Sequence, residues 1–278
     1  MAALMGVPAH ADDGHGTVNP NSIETAIQAL RDGNARFVAS QPTHPNQTKE
    51  RLKDLADHGQ TPLAAVLACS DSRVPIEEIF DMGFGDLFVI RAAGAVPGVD
   101  QVGSLEYAVA HLGVPVILVL SHTNCGAVSA AVSQANEPGA LGQLLKKLSP
   151  AAIAVEGLEG AKKLQTAIEL SAVIFREQLP LVSPVLGEAV KSGKLAIISG
   201  VYDIATGQVD FALPKEKPQA PTEPAEAVTL PAPAPEPVEA VTLPAPAPDF
   251  SSQAETTPVP EPVSQGGYTP EAGGPESE

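Results

Sequence analysis

Along residues 21–38 the apolar side chains Ile23, Ile27, Leu30 and Phe37 recur at spacings of three and four, with Asn34 on the same stripe. That period predicts an amphipathic helix, with Asn and Ser at its start to cap it. A second helical stretch is expected over 49–58. The pattern then changes. Residues 64–69, 87–91 and 115–121 are short, continuously apolar runs rich in Val, Ile and Leu, each followed by a polar or Gly-containing turn and then helical periodicity. Runs of this kind read as parallel strands buried on both faces. Helices are predicted between them at 75–80, with Pro75 suited to a first turn, at 103–112 and at 124–134. A long amphipathic helix follows over 158–180, a fourth strand over 195–201, and a short last strand over 208–212 after the turn Ala205-Thr206-Gly207. The repeated strand–helix crossover predicts an α/β domain: a mostly parallel sheet flanked by helices on both faces, with an N-terminal helical arm.

Composition divides the chain. Its last 65 residues hold 16 of the 28 prolines and 11 of the 33 acidic residues, a mixture too polar and too Pro-rich to build a core. The expected division is a lead over 1–19, a folded domain over 20–213, and a disordered Pro/Ala/Glu-rich tail over 214–278. Within the tail, 223–235 and 236–248 match at 12 of 13 positions, differing only at Ala225 and Val238. Their Pro-Ala-Pro-Ala-Pro core favours an extended polyproline II spacer, and any partner of the tail stays open.

The formal net charge of −17 splits into −8 for residues 1–213 and −9 for the tail. None of the 16 basic residues forms a cluster, which argues against nucleic acid as a partner. No apolar run is long enough to span a membrane. The start leaves two readings open. Met1 to Val7 is small and apolar, and Ala9-His10-Ala11 before Asp12 has the A-x-A form of a signal-peptide cleavage site, but a basic n-region and a full h-region are missing. A processed signal implies a periplasm or similar lumen; an ordinary lead implies the cytoplasm.

Candidate chemistry gathers at two strand ends. Cys69-Ser70-Asp71-Ser72-Arg73 begins where the first strand ends, and His122-Thr123-Asn124-Cys125-Gly126 where the third ends. In open α/β sheets such ends meet in one crevice, so Cys69, His122 and Cys125 converge. Two thiolates and an imidazole suit zinc. Three protein donors leave a fourth position open, as in catalytic sites, where bound water is acidified to a pKa of about 7. Asp71 and Arg73 are spaced for a bidentate pair that keeps the carboxylate off the metal and lets it orient water.

These motifs, with Asp86 to Arg91, Ser104 to Val109 and Gly200-x-Tyr202-Asp203, resemble the β-class carbonic anhydrases over most of residues 20–213. The resemblance implies reversible hydration of carbon dioxide to bicarbonate, one Zn2+ per subunit, and a homodimer or larger homo-oligomer with the pocket at a subunit interface. It implies Asp71 and Arg73 as catalytic residues and places Gln60, Phe88, Tyr107 and Gly126 around the substrate. Val66 stands where the bicarbonate-regulated type carries Trp, and the chain has no Trp, which favours the open, plant-like type. Ala92 and Ala95 replace two usual Asn residues, and Ser121 a usual Gly. Two other functions fit the same donor set: hydrolysis of carbon disulfide or carbonyl sulfide, and a catalytically silent zinc scaffold.

Overall fold

The computed structural model describes residues 22–213. The suggested signal-peptide remnant and the tail with its tandem repeat lie outside the described residues. Among the described residues five strands, β1 (Ala64–Ala68), β2 (Leu87–Arg91), β3 (Val116–His122), β4 (Ala196–Tyr202) and β5 (Val209–Ala212), form one sheet in the order β2-β1-β3-β4-β5. The first four are parallel and only β5 runs antiparallel, hydrogen-bonded to β4.

Every residue of β1 and β3 is buried because each strand is covered on both sides. On one face Ala65, Leu67, Ile117, Val119 and Ile197 pack with Leu105, Leu148, Ile168 and Phe175. On the other, Ala64, Val66, Leu118 and Ile198 pack with Leu30, Ile76, Ile79 and Phe80. Side chains alternate along a strand, so a continuous apolar run feeds both cores at once.

The helices are α1 (Ile23–Val38), α2 (Lys49–His58), α3 (Ile76–Ile79), α4 (Val99–Leu112), α5 (Gly126–Val132), α6 (Gly139–Ala154), α7 (Gly160–Val182) and α8 (Pro184–Lys191). Ser22 caps α1 by accepting from the Thr25 amide, and Thr48 caps α2 by accepting from Arg51. Gly33 lets α1 lie directly on the end of α3: a Cβ there would fall 1.8 Å from the Phe80 carbonyl oxygen.

Several expected boundaries shift. Helix α4 begins at Val99 rather than 103, with the Gln101 side chain accepting from the Gly98 amide; Gly103 sits inside it, where a Cβ would touch nothing. Pro75 precedes α3 instead of forming its first turn, and α5 starts at Gly126, two residues later than expected. Helix α7 runs past Pro180 to Val182. Helices α6 and α8 are additions, since the sequence between 139 and 154 carries Gly139, Gly142 and Pro150, punctuation that hides a helix held by buried Leu145, Leu148 and Ala151. No helix among the described residues is long and apolar enough to cross a membrane.

Candidate metal centre

Strands β1 and β3 are neighbours in register, Ala68 opposite Leu120, and run in the same direction. Cys69, one residue beyond β1, and His122, the last residue of β3, therefore emerge side by side. The chain then turns through Asn124 in the left-handed region, at φ 56°, and Cys125 becomes the N-cap of α5. The donor atoms of Cys69, His122 and Cys125 all lie within 4.8 Å of one another, and all three residues are buried.

The histidine reveals the purpose of the cluster. Its Nδ1 lies 2.9 Å from the Thr123 carbonyl oxygen. A carbonyl only accepts, so Nδ1 carries the hydrogen and Nε2 presents a lone pair. That Nε2 is buried and has no hydrogen-bond partner. An orphaned acceptor facing two sulfurs is costly unless an electrophile occupies the space, and two soft sulfurs with one imidazole fit zinc. The sulfurs are themselves prepared. Contact with the Cys125 thiol, the His122 ring and the Asp71 and Gly94 amides outweighs burial and holds Cys69 well below the usual thiol range, while Cys125 is pushed up by its contact with Cys69 and by burial.

Asp71 and Arg73 make the bidentate pair their spacing predicts: Arg73 Nε donates to Oδ1 at 2.9 Å and Nη2 to Oδ2 at 2.7 Å. The Arg73 side chain and amide hold the Asp71 carboxyl well below the usual carboxylate range. Its Oδ2 lies 3.9 Å from His122 Nε2, so the ionised carboxylate borders the space between the donors.

The residues expected around the substrate are only partly assembled. Phe88 on β2 packs against the same core as Cys69, and its ring lies 6.2 Å from that of Tyr107 on α4. Tyr107 is 49% exposed. Gly126 opens α5 with free space where a Cβ would stand. Gln60 lies exposed in the coil after α2, and its side chain has no hydrogen bond among the described residues.

The replacements have local consequences. Ala92 continues the backbone ladder, whereas Ala95 is buried at φ 54°, a left-handed backbone in which Asn is more at home than Ala. The buried Ser121 hydroxyl meets that of Ser171 on α7 at 3.2 Å, and Ser171 donates onward to the Ile168 carbonyl. Arg91, to which the motifs assigned no role, donates to the carbonyl oxygens of Cys69 and Asp71. Its signal in the sequence is faint: a lone cation ending an apolar strand.

The family model described as carbonic anhydrase matches residues 64–209, a span that includes the three donors, Asp71 and Arg73. A carbonic anhydrase of Mycolicibacterium smegmatis is 40% identical over 200 residues, 69% of this chain and 95% of the relative. The β-carbonic anhydrase CafA of Aspergillus fumigatus superposes with a TM-score of 0.55 at 26% identity, over 68% of this chain and 89% of that one. The chain belongs to the β-carbonic anhydrase family. Carbonic anhydrase 2 of Mycobacterium tuberculosis is 38% identical over 68% of this chain and 92% of its own length. A tetrameric β-carbonic anhydrase of Sordaria macrospora has a TM-score of 0.53 at 27% identity, covering 68% of this chain and 96% of that chain. As a β-carbonic anhydrase the chain carries a zinc site, and its Cys-His-Cys cluster fits that ion.

Proposed function

We propose that this β-carbonic anhydrase catalyses the reversible hydration of carbon dioxide to bicarbonate and a proton, with zinc held by Cys69, His122 and Cys125. The observation that carries this reading is the unpartnered His122 Nε2 facing two sulfurs, with the Asp71 carboxylate poised at its side. When bound, zinc supplies the Lewis acidity that makes water nucleophilic at neutral pH. Asp71 is kept ionised by Arg73 and can only accept, so it takes a hydrogen bond from the attacking water and turns a lone pair of that water toward the substrate carbon. The rings of Phe88 and Tyr107, 6.2 Å apart, offer an apolar surface suited to a small nonpolar gas, and Gly126 has free space where a Cβ would stand. Gln60 offers an amide donor for a substrate oxygen, and in a homodimer or larger oligomer the exposed Tyr107 and Val99 face of α4 would be covered.

A stopped-flow assay of carbon dioxide hydration over roughly pH 6 to 9, with zinc measured on the same sample, tests the reading. Activity that rises with pH at one zinc per chain supports it. Full zinc without hydration overturns carbon dioxide as the substrate.

A further inference from the structure

The Cys69 to Arg73 turn is anchored to β2 by a short run of backbone contacts. The Ala92 amide donates to the Ala68 carbonyl at 3.0 Å and the Ser70 amide to the Ala92 carbonyl at 3.2 Å. The Gly94 amide donates to Cys69 Sγ at 3.2 Å. There the ladder ends, and a side chain takes over. Arg91 Nε donates to the Cys69 carbonyl oxygen at 3.0 Å, and Nη2 reaches the Asp71 carbonyl oxygen at 2.6 Å.

The Asp71–Arg73 pair cannot do this work, because both partners ride on the same turn. It aims the carboxylate relative to Arg73 and leaves the turn's position relative to His122 unset. Beyond the Ser70–Ala92 and Gly94–Cys69 contacts at its start, two side-chain contacts set that position from outside. One is Arg73 Nη2 to the Asn124 carbonyl oxygen at 3.2 Å, on the β3 side. The other is Arg91 on the β2 side, at the shorter distance of 2.6 Å. The matter at stake is small in space: Asp71 Oδ2 is already 3.9 Å from the free His122 Nε2, and a carboxylate is itself a good zinc donor.

We propose that Arg91 is a positioning residue that, by gripping the Cys69 and Asp71 carbonyls, keeps the Asp71 carboxylate on Arg73 and out of the Cys69–His122–Cys125 donor set. The metal's fourth position thereby stays open to a small ligand. This rests on the reading of the cluster as a metal centre. The grip needs two N–H groups in a fixed fork, which a guanidinium supplies and an ammonium does not.

The test uses the full chain with cobalt(II) in place of zinc, titrated with azide and followed by visible absorption. Arg91→Gln is expected to hold one cobalt per chain but to bind azide about tenfold or more weakly than wild type, because Asp71 competes for the open position. Adding Asp71→Asn to Arg91→Gln is expected to restore the azide affinity of Asp71→Asn alone, which a merely structural loss would not do. Arg91→Lys, which reaches one carbonyl at a time, is expected to fall between wild type and Arg91→Gln, and it carries the same readout should Arg91→Gln fail to hold cobalt. Wild-type azide affinity in the Arg91 variants, or a weakening that persists after Asp71→Asn, overturns the proposal. Wild-type protein that takes up no cobalt overturns instead the metal-centre reading on which it rests.

Discussion

An Asp–Arg pair two residues apart on a surface turn is ordinarily worth about 0–1 kcal/mol and is dispensable. Asp71 and Arg73 differ because the carboxylate's far side is 3.9 Å from a buried imidazole nitrogen that has no hydrogen-bond partner. A group placed for chemistry and not for stability has a testable signature. Asp71→Asn should retain zinc and fold while lowering kcat/KM by about a hundredfold, the usual scale for a positioned acceptor. Zinc content and hydration rate on one sample check this, and a wild-type rate would remove Asp71 from the mechanism. The site residues carried by the two motifs were legible in the sequence because local spacing alone presents them: Cys69 and Asp71 on one turn, His122 and Cys125 on the next. Arg91 was not, since its grip depends on the pairing of Ala68 with Arg91 across two strands. The orphaned Nε2 was equally hidden, because it follows from a ring orientation set by the Thr123 carbonyl.

At the scale of elements, the apolar runs located β1 and β3 well because burial on both faces favours apolar side chains at nearly every position of these two strands. Helices whose faces carry Gly and Pro, as α6 and α8 do, were lost because local propensity there opposes the packing that holds them. Polar side chains tie elements together at points the pattern cannot show. Asn34 of α1 donates to the carbonyls of Ile79 and Gly207 and accepts from the Val209 amide, joining α1, α3 and β5. Asp81, just past α3, is the stronger tie. It accepts from Arg36 of α1 at 2.5 Å, from the Thr43 amide and hydroxyl, and from the His44 amide. Burial pushes its carboxyl up, but those donors together hold it well below the usual carboxylate range. An unfolded Asp titrates at about 3.9. The folded value is depressed, so this stabilisation is complete above the unfolded value and is lost as pH falls below it toward the folded one. Asp81→Asn should therefore cost about 3 kcal/mol at pH 7, through donors left unpaired in a buried place. It should also flatten the acid limb of the stability curve below about pH 4. Urea unfolding across pH measures both, and an unchanged acid limb would assign the acid sensitivity to other carboxylates.

For the whole molecule, the question is how much of the chain the enzyme needs. The buried residues of both cores lie between Ala26 and Val209, with Ile23 and Phe211 packed against the second core, and the family match ends at 209. The last strand, β5, closes at Ala212 by pairing with Ser199 on β4. Every donor and charged partner of the metal centre lies between Cys69 and Cys125, on the turns that follow β1 and β3, whose sheet neighbours β2 and β4 end by Tyr202. The Pro-rich repeat, by contrast, has a composition that disfavours a folded core of its own. The catalytic unit is therefore proposed to end near Leu213. Removing residues 214–278 should leave the hydration rate within about twofold and the unfolding midpoint within about 2 °C, less than the shift a loss of 1 kcal/mol produces in a domain of this size. Calorimetry and stopped-flow assay of the shortened chain decide it. A lost midpoint would mean that the tail supports the fold, and a lost rate at an unchanged midpoint would mean that it reaches the site.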